Sequence, residues 1–206
     1  RYAGQDYTAR ALMGRELPEM TVGIVGMGRI GTTVAQHLKG FGCRVLGYNR
    51  TPRPGQAAAA EMVDLDTLLR GSDIVSLHLA ATPETEHLIG AAAFEKMKDG
   101  AVLINTARGP LVDNGALIDA LEQGKLSGAG LDVFDGDRLI YYRDFKNELL
   151  PQREMAILNA MPNVLMLPHM AYYTDRAVED MVRNSLDGAC RYCAGESDPW
   201  LVGEKV

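Results

Sequence analysis

Three short segments bring together side chains that could bind an oxo acid and move a proton. Arg108 stands between an apolar run and a Gly-Pro pair, and His169 follows a proline after another apolar run. Three carboxylates, Asp132, Asp135 and Asp137, follow a third apolar run. A guanidinium can grip a carboxylate or carbonyl through paired hydrogen bonds, and a carboxylate beside a histidine raises the imidazole pKa and fixes its tautomer. Beside a nicotinamide, these groups would suit hydride transfer to a 2-oxo acid.

Each of these residues also has a plainer explanation. Arg108 could form only a surface salt bridge, and the three acids could make a solvated loop or a metal site. A single histidine such as His169 is more often structural than catalytic. The catalytic interpretation therefore depends on independent evidence for a nicotinamide cofactor.

That evidence comes from a glycine-rich segment near the start of the chain. Gly26, Gly28 and Gly31 follow the apolar run 22–25 with G-x-G-x-x-G spacing, and a helical pattern comes next. Gly26 would permit a tight turn, Gly28 the close approach of a pyrophosphate, and Gly31 close packing of helix on strand. The positive end of a helix beginning near Arg29 would receive the phosphate charge. The segment predicts a dinucleotide site.

The end of the second predicted strand bears on which dinucleotide is bound. Asn49 occupies the position where an acid would accept from both ribose hydroxyls and repel a 2′-phosphate. Arg50, Thr51 and Arg53 follow, and they could receive that phosphate. The sequence therefore predicts an NAD(P)H cofactor, leaning towards NADPH, unless the arginines merely face solvent.

Apolar runs alternate with helical patterns along the chain, which predicts an α/β fold with a doubly wound parallel sheet of the Rossmann type. On the first helix, Ile30, Val34, Ala35, Leu38 and Phe41 recur at helical spacing and are expected on one face. We expect a lead-in segment at 1–17, a dinucleotide-binding domain at 18–174 and a C-terminal helix and tail at 175–206. Strands are predicted at 22–25, 43–48, 73–79, 101–105, 128–133 and 164–167, and helices near 29–41, 63–69, 91–98, 114–123, 154–160 and 175–193.

Composition excludes several classes of function. The 206 residues carry a net charge of −6 with scattered Lys and Arg, which argues against a nucleic-acid surface. No apolar run approaches the roughly 18 residues that cross a membrane. Three cysteines suggest a reducing, cytoplasmic compartment. Cys190 and Cys193 form a C-x-x-C that could be redox-active or bind metal, but no second pair completes a zinc site, so we expect structural thiols and no metal.

Residues 4–189 resemble the D-isomer-specific 2-hydroxyacid dehydrogenases. Segments 140–144 and 171–174 are similar to the D-lactate dehydrogenase branch of that family, including the branch found with vancomycin resistance. The resemblance implies a homodimer acting on a small 2-oxo acid, pyruvate being the best candidate. The alternative is a non-catalytic, dinucleotide-sensing module, since the family also contains corepressor-like proteins. The matching segments are 23–31, 72–78, 105–113, 131–134 and 161–169.

The resemblance also assigns roles to individual residues. Arg108 would bind the substrate, His169 would be the acid/base, and Asp137 would be its carboxylate partner. The family's usual acid is Glu, so Asp137 is one methylene shorter. The family's N-terminal substrate domain is largely missing from the chain, which looks like a fragment. The implied cofactor-binding residues are Gly26, Gly28, Arg29, Ile30 and Gly31 at the pyrophosphate; Asn49, Arg50, Thr51, Leu79, Ala80 and Thr85 on the adenosine side, with Leu79-Ala80 replacing the usual Val-Pro; and Thr106, Ala107, Arg108, Asp132 and His169 at the nicotinamide.

Overall fold

A computed structural model describes residues 14–51, 54–137, 140–142, 144–145 and 152–197. The chain forms two compact units, Arg1–Pro168 and His169–Val206. The first unit contains the sheet and six helices of its described part, and the second contains one long helix. The boundaries predicted after residues 17 and 174 stay predictions.

Seven strands of the first unit form one parallel sheet in the order β3-β2-β1-β4-β5-β6-β7. The order reverses between the neighbours β1 and β4, where such sheets open a crevice at the carboxyl ends of their strands. This topology confirms the predicted doubly wound sheet. The strands are β1 Thr21–Val25, β2 Arg44–Tyr48, β3 Glu61–Met62, β4 Ile74–Leu77, β5 Ala101–Asn105, β6 Leu126–Leu131 and β7 Val164–Met166.

Three of the helices begin at side chains that cap their first N–H groups. Asp64, Asp113 and Thr174 each accept a hydrogen bond from a backbone N–H in the first turn of the helix that follows. The helices are α1 Arg29–Gly40, α2 Gln56–Ala59, α3 Leu65–Gly71, α4 Ala91–Lys96, α5 Asn114–Glu122, α6 Arg153–Ala160 and, in the second unit, α7 Asp175–Ala194.

Two apolar clusters hold the sheet to its helices. Val22 and Ile24 of β1 pack with Ala35 of α1 in the smaller cluster. Val25, the next residue of the same strand, belongs to the larger cluster, which also includes Leu103 of β5. Successive side chains of a strand point to opposite faces, so the sheet is covered by helices on both faces.

The row of apolar residues on the first helix is only partly buried. Ile30 is 70% exposed and Phe41 is 61% exposed, whereas Ala35 is fully buried. Ile30 stands in the first turn of α1, and Phe41 follows its last residue. The short strand β3 and its helix α2 were not predicted, because strand β3 has only two residues.

Candidate functional site

The glycine turn between β1 and α1 requires a glycine at position 26. Gly26 has φ of 104°, a left-handed conformation that side chains disfavour, and its N–H donates to the Tyr48 carbonyl over 2.9 Å. A Cβ on Gly26 would lie 2.6 Å from the carbonyl oxygen of His78. Strands β1, β2 and β4 therefore meet at this residue.

The other two glycines of the motif differ from each other in their surroundings. A Cβ on Gly31 would lie 2.0 Å from the carbonyl oxygen of Gly26, so helix and turn are in direct backbone contact. A Cβ on Gly28 would meet nothing within 4 Å. Gly28 caps α1 without a side-chain hydrogen bond, which leaves the first N–H groups of the helix facing open space. These features fit a pyrophosphate, whose contacts with the motif stay a prediction.

A cavity of about 340 Å³ lies beyond the ends of β2 and β4. It brings together all six residues predicted on the adenosine side. Thr85 shapes one wall, because its hydroxyl donates to the Ala80 carbonyl over 2.8 Å and accepts from the Thr82 N–H over 2.8 Å. The lining residues are Tyr48, Asn49, Arg50, Thr51, Leu79, Ala80, Thr82, Glu84, Thr85 and Leu88.

The polar groups of this cavity have defined partners. Asn49 donates from Nδ2 to the Thr51 carbonyl over 2.7 Å, so its amide shapes the 49–51 turn. The pKa of Glu84 is lowered, first by a hydrogen bond from Thr82 and further by the positive charge of Arg50. An arginine and a glutamate therefore share one cavity. Arg53 lies outside the described residues.

A second cavity of about 430 Å³ continues towards β5 and Arg108. Leu79 and Ala80 line both cavities, so the predicted adenosine and nicotinamide sides share a wall. The lining residues are Ile30, His78, Leu79, Ala80, Ala81, Thr106, Ala107 and Arg108. Arg29 and Gly28 instead line a third cavity of about 550 Å³ beside α1.

Arg108 is held at the mouth of the second cavity by the loop that follows β5. Asn105 is buried, and its side chain accepts from the Ala107 N–H and donates to the Arg108 carbonyl. The exposed guanidinium of Arg108 donates from Nη1 to the Ala107 carbonyl over 2.6 Å. A substrate bound at Arg108 would replace this internal hydrogen bond.

The acidic loop after β6 lies against the Arg108 loop. A Cβ on Gly109 would lie 2.2 Å from the carbonyl oxygen of Phe134, so only glycine permits this approach. Asp132 is buried, and its N–H donates to the Asn105 carbonyl over 2.9 Å. Asp137 is half-buried, and its Oδ2 accepts from the Phe134 N–H at the long distance of 3.4 Å. The first unit thus places Arg108, Asp132 and Asp137 on two neighbouring loops.

His169 belongs to the second unit. Its backbone has φ of 55°, an uncommon conformation for a residue with a side chain. Its ring lies edge-on to that of Tyr172, with centroids 6.3 Å apart. The imidazole therefore packs against an aromatic ring of its own unit.

His78 is a cavity residue that the sequence interpretation missed. It follows β4 and lines the second cavity, and its Nε2 lies 3.0 Å from the Ser76 hydroxyl. Burial lowers the pKa of the imidazole, which favours its neutral form. His78 lay inside the predicted strand 73–79, whereas β4 ends at Leu77, so the sequence did not mark it as a residue beyond a strand end. Tyr48, Thr82, Glu84 and Leu88 also line cavities and were missed.

Other candidate chemistry receives less support. Among the described residues, no three His, Cys, Asp or Glu side chains are grouped to hold a metal ion. Cys190 and Cys193 are exposed free thiols on α7, whereas Cys43 is a buried one. In the described part of the chain, each helix is too short or too polar to cross a bilayer.

Comparison with known proteins gives one consistent result. The sequence profile described as the D-isomer specific 2-hydroxyacid dehydrogenase, NAD binding domain, matches residues 2–171. A D-specific alpha-keto acid dehydrogenase of Enterococcus faecalis is 45% identical over 184 residues, which cover 89% of this chain and 56% of that protein. A D-lactate dehydrogenase of Treponema pallidum is 39% identical over 187 residues, covering 91% of this chain and 56% of its own length.

A solved structure of a D-lactate dehydrogenase has the same fold. A crystal structure of D-lactate dehydrogenase with NAD+ from Lactobacillus jensenii superposes with a TM-score of 0.91 at 36% identity, covering 98% of this chain and 61% of that one. The chain therefore spans less than two thirds of the length of these relatives.

Proposed function

Because this chain belongs to the D-isomer-specific 2-hydroxyacid dehydrogenases as their NAD-binding domain, we propose that it is the cofactor-binding part of an enzyme that reduces a small 2-oxo acid. Pyruvate, giving D-lactate, is the substrate we favour, since relatives named D-lactate dehydrogenase match along most of the chain. The observation that carries the proposal is the pair of cavities sharing Leu79 and Ala80, which leads from the end of β2 to Arg108.

The residues of the cavities fit a nicotinamide dinucleotide. Gly28 leaves space at the start of α1 for a pyrophosphate, and the cavity beside Asn49 accepts an adenosine. Thr106 and Ala107 line the second cavity, where the nicotinamide would lie next to Arg108. When bound, this cofactor supplies the hydride.

The side chains of Arg108, His169 and Asp137 bind the substrate and supply the proton. Arg108 gives up its bond to the Ala107 carbonyl and binds the carboxylate and carbonyl oxygens of the oxo acid, which polarises the carbonyl. His169 donates a proton to that oxygen as hydride reaches the carbon, so the product is a 2-hydroxy acid. Asp137 is the carboxylate partner of His169 and fixes the tautomer of its ring. Each role is carried over from the family resemblance.

The test is pyruvate reduction by the complete enzyme with His169→Ala. We expect kcat to fall by about 10²- to 10⁴-fold, the usual contribution of a general acid. His37→Ala, a change at an exposed histidine of α1, is the control and should leave kcat unchanged. Full turnover in His169→Ala would remove His169 from the mechanism. Cofactor binding without turnover by the wild-type enzyme would favour a dinucleotide-sensing module instead.

NADPH serves this enzyme at least as well as NADH. Asn49 lacks the charge that would repel a 2′-phosphate, and Arg50 lines the same cavity, where Glu84 opposes it. Asn49→Asp should lower kcat/KM for NADPH about tenfold relative to NADH, because it adds one negative charge near the phosphate. Asn159→Asp adds the same charge on exposed α6 and should leave the ratio unchanged. A wild-type KM for NADPH far above that for NADH would contradict this assignment.

The assembly and location follow the same resemblance. The enzyme is a homodimer through its cofactor-binding domains, and sedimentation at twice the subunit mass is the expected result. It works in the cytoplasm, where its three free thiols would stay reduced. These 206 residues alone should bind cofactor, as calorimetry with NADH would measure, without reducing pyruvate.

A further inference from the structure

The hydroxyl of Tyr141 is a buried polar group without a hydrogen-bond partner. Tyr141 is 9% exposed, and its oxygen is the one fully buried side-chain N or O atom without such a partner among the described residues. Leaving a buried hydroxyl unpaired is unfavourable, so the great majority of such groups are hydrogen-bonded in folded proteins. The unpaired hydroxyl of Tyr141 suggests that it forms a hydrogen bond in another state of the enzyme.

Tyr141 lies one helical turn from Asp137. The N–H groups of Ile140 and Tyr141 both donate to the Asp137 carbonyl, over 2.9 and 2.8 Å. Residues four apart in a helical turn present their side chains on the same face. The side chains of Tyr141 and Asp137 therefore start from the same face of the turn that carries the candidate acid.

Electrostatics makes Tyr141 a proton donor in this position. Burial, followed by the negative charges of Asp137 and Asp132, raises the pKa of Tyr141 to about 12. The phenol therefore keeps its proton at neutral pH. It can offer that proton in a hydrogen bond to either of two nearby carboxylates.

The geometry of Asp137 decides which carboxylate needs a donor. Its Oδ2 is 3.4 Å from the Phe134 N–H, longer than the 2.7–3.2 Å usual for such bonds. Asp132 is buried at the end of β6. The Asp137 side chain is half-buried, and this long bond turns it back onto its own loop.

We propose that Tyr141 is a positioning residue whose hydroxyl donates to the Asp137 carboxylate once that carboxylate leaves the Phe134 N–H in the catalytic state. The hydrogen bond holds a side chain that is one methylene shorter than the glutamate usual in the family. This inference rests on the proposed 2-oxo acid reductase activity and deepens it.

The first test is Tyr141→Phe in the complete enzyme. We expect kcat for pyruvate reduction to fall about tenfold, as loss of a hydrogen bond to a charged group predicts, with little change in cofactor KM. The melting temperature should stay the same or rise, because the variant removes an unpaired buried hydroxyl. Tyr142→Phe, the same change at a 72% exposed neighbour, is the control and should leave kcat unaltered.

The pH profile separates positioning from a merely structural role. Reduction requires a general acid that still holds its proton, so the rate falls at alkaline pH. A carboxylate held beside that acid favours its protonated, charged form. Tyr141→Phe should therefore move the alkaline limb of the kcat profile to lower pH. An unmoved limb together with an unchanged kcat would overturn the assignment.

A double-mutant cycle identifies the partner of the hydroxyl. Asp137→Glu supplies the longer acid. Tyr141→Phe should therefore lower kcat much less in the Asp137→Glu background than in the wild type. Equal losses in both backgrounds would overturn the assignment, as would a large drop in melting temperature on Tyr141→Phe. A wild-type enzyme that binds NADH but reduces no 2-oxo acid would instead refute the proposed function itself, and the role of Tyr141 with it.

Discussion

The glycine turn and the Arg108 and Asp137 loops lie at the same edge of one sheet, but they are built from different atoms. In the glycine turn the backbone makes the site, with Gly26 left-handed and Gly31 in contact with its carbonyl. In the two loops side chains make the site, and each is engaged internally, Arg108 with the Ala107 carbonyl and Asp137 with the Phe134 N–H. If the two regions bind pyrophosphate and oxo acid as proposed, the glycine turn needs no rearrangement to receive its ligand, whereas Arg108 and Asp137 must exchange internal hydrogen bonds for external ones.

The largest effect is expected where a side chain makes the site. Arg108→Ala should lower kcat/KM for pyruvate by about 10²- to 10³-fold, the loss typical of truncating one partner of a charged, hydrogen-bonded pair. Arg108→Lys should retain only part of the wild-type kcat/KM, since an ammonium lacks the paired donors of a guanidinium. Steady-state kinetics would measure both, with Arg153→Ala at an exposed position of α6 as the control. If Arg108→Ala weakened cofactor binding as much as turnover, the division between the two regions would be wrong.

In the glycine turn, substitution should act first on stability. Gly31→Ala puts a Cβ 2.0 Å from a backbone oxygen, and we expect the free energy of unfolding to fall by about 3 kcal/mol. Gly40→Ala on the same helix meets nothing within 4 Å and serves as the control. Gly28→Ala also has room and should leave stability unchanged while weakening cofactor affinity. Urea unfolding and NADH titration together would show this contrast, and equal stability of Gly31→Ala and Gly28→Ala would contradict it.

The smallest effect is expected at the opposite end of β4, away from both regions. Burial tends to raise the pKa of Asp73, but hydrogen bonds from the Thr21 N–H, Arg15 and Lys98 outweigh it and lower that pKa. A lowered pKa stabilises the fold above the unfolded value of about 3.9, and this stability is lost as pH falls through the folded pKa. Asp73→Asn should therefore lower the free energy of unfolding by about 1 kcal/mol at pH 7.

The pH series provides the check on Asp73. The difference in unfolding free energy between the wild type and Asp73→Asn should shrink as pH falls below the unfolded pKa of about 3.9 and through the lowered folded pKa. Cofactor affinity at pH 7 should be unaltered, because Asp73 stands beyond the amino end of its strand. A constant difference at all pH values would show that the carboxylate charge has no part in the effect.

The backbone-built region was predictable from the sequence because its signal is local. G-x-G-x-x-G spacing between two apolar runs predicts a strand, a turn and a helix, and the structure has them at β1 and α1. Ile30 is exposed although it belongs to the predicted helical row, because helical periodicity does not reveal which part of a helix face is covered. The orphaned hydroxyl of Tyr141 had no sequence signal, since its burial depends on contacts far apart in the chain. The inward turn of Asp137 was equally hidden, because residue type does not specify a rotamer.

The close approach of Gly109 to Phe134 has a mechanical consequence. The Phe134 carbonyl that a larger residue at 109 would strike also accepts the Asp137 N–H, over 3.0 Å. The loop that would grip the oxo acid and the loop that bears the acid are therefore pressed together through one peptide group. Neither loop can shift far without displacing the other, so the two loops should move together when substrate binds. Fixing the Arg108 loop on the substrate therefore also orders most of the Asp137 loop, and little further conformational entropy is lost in aligning it.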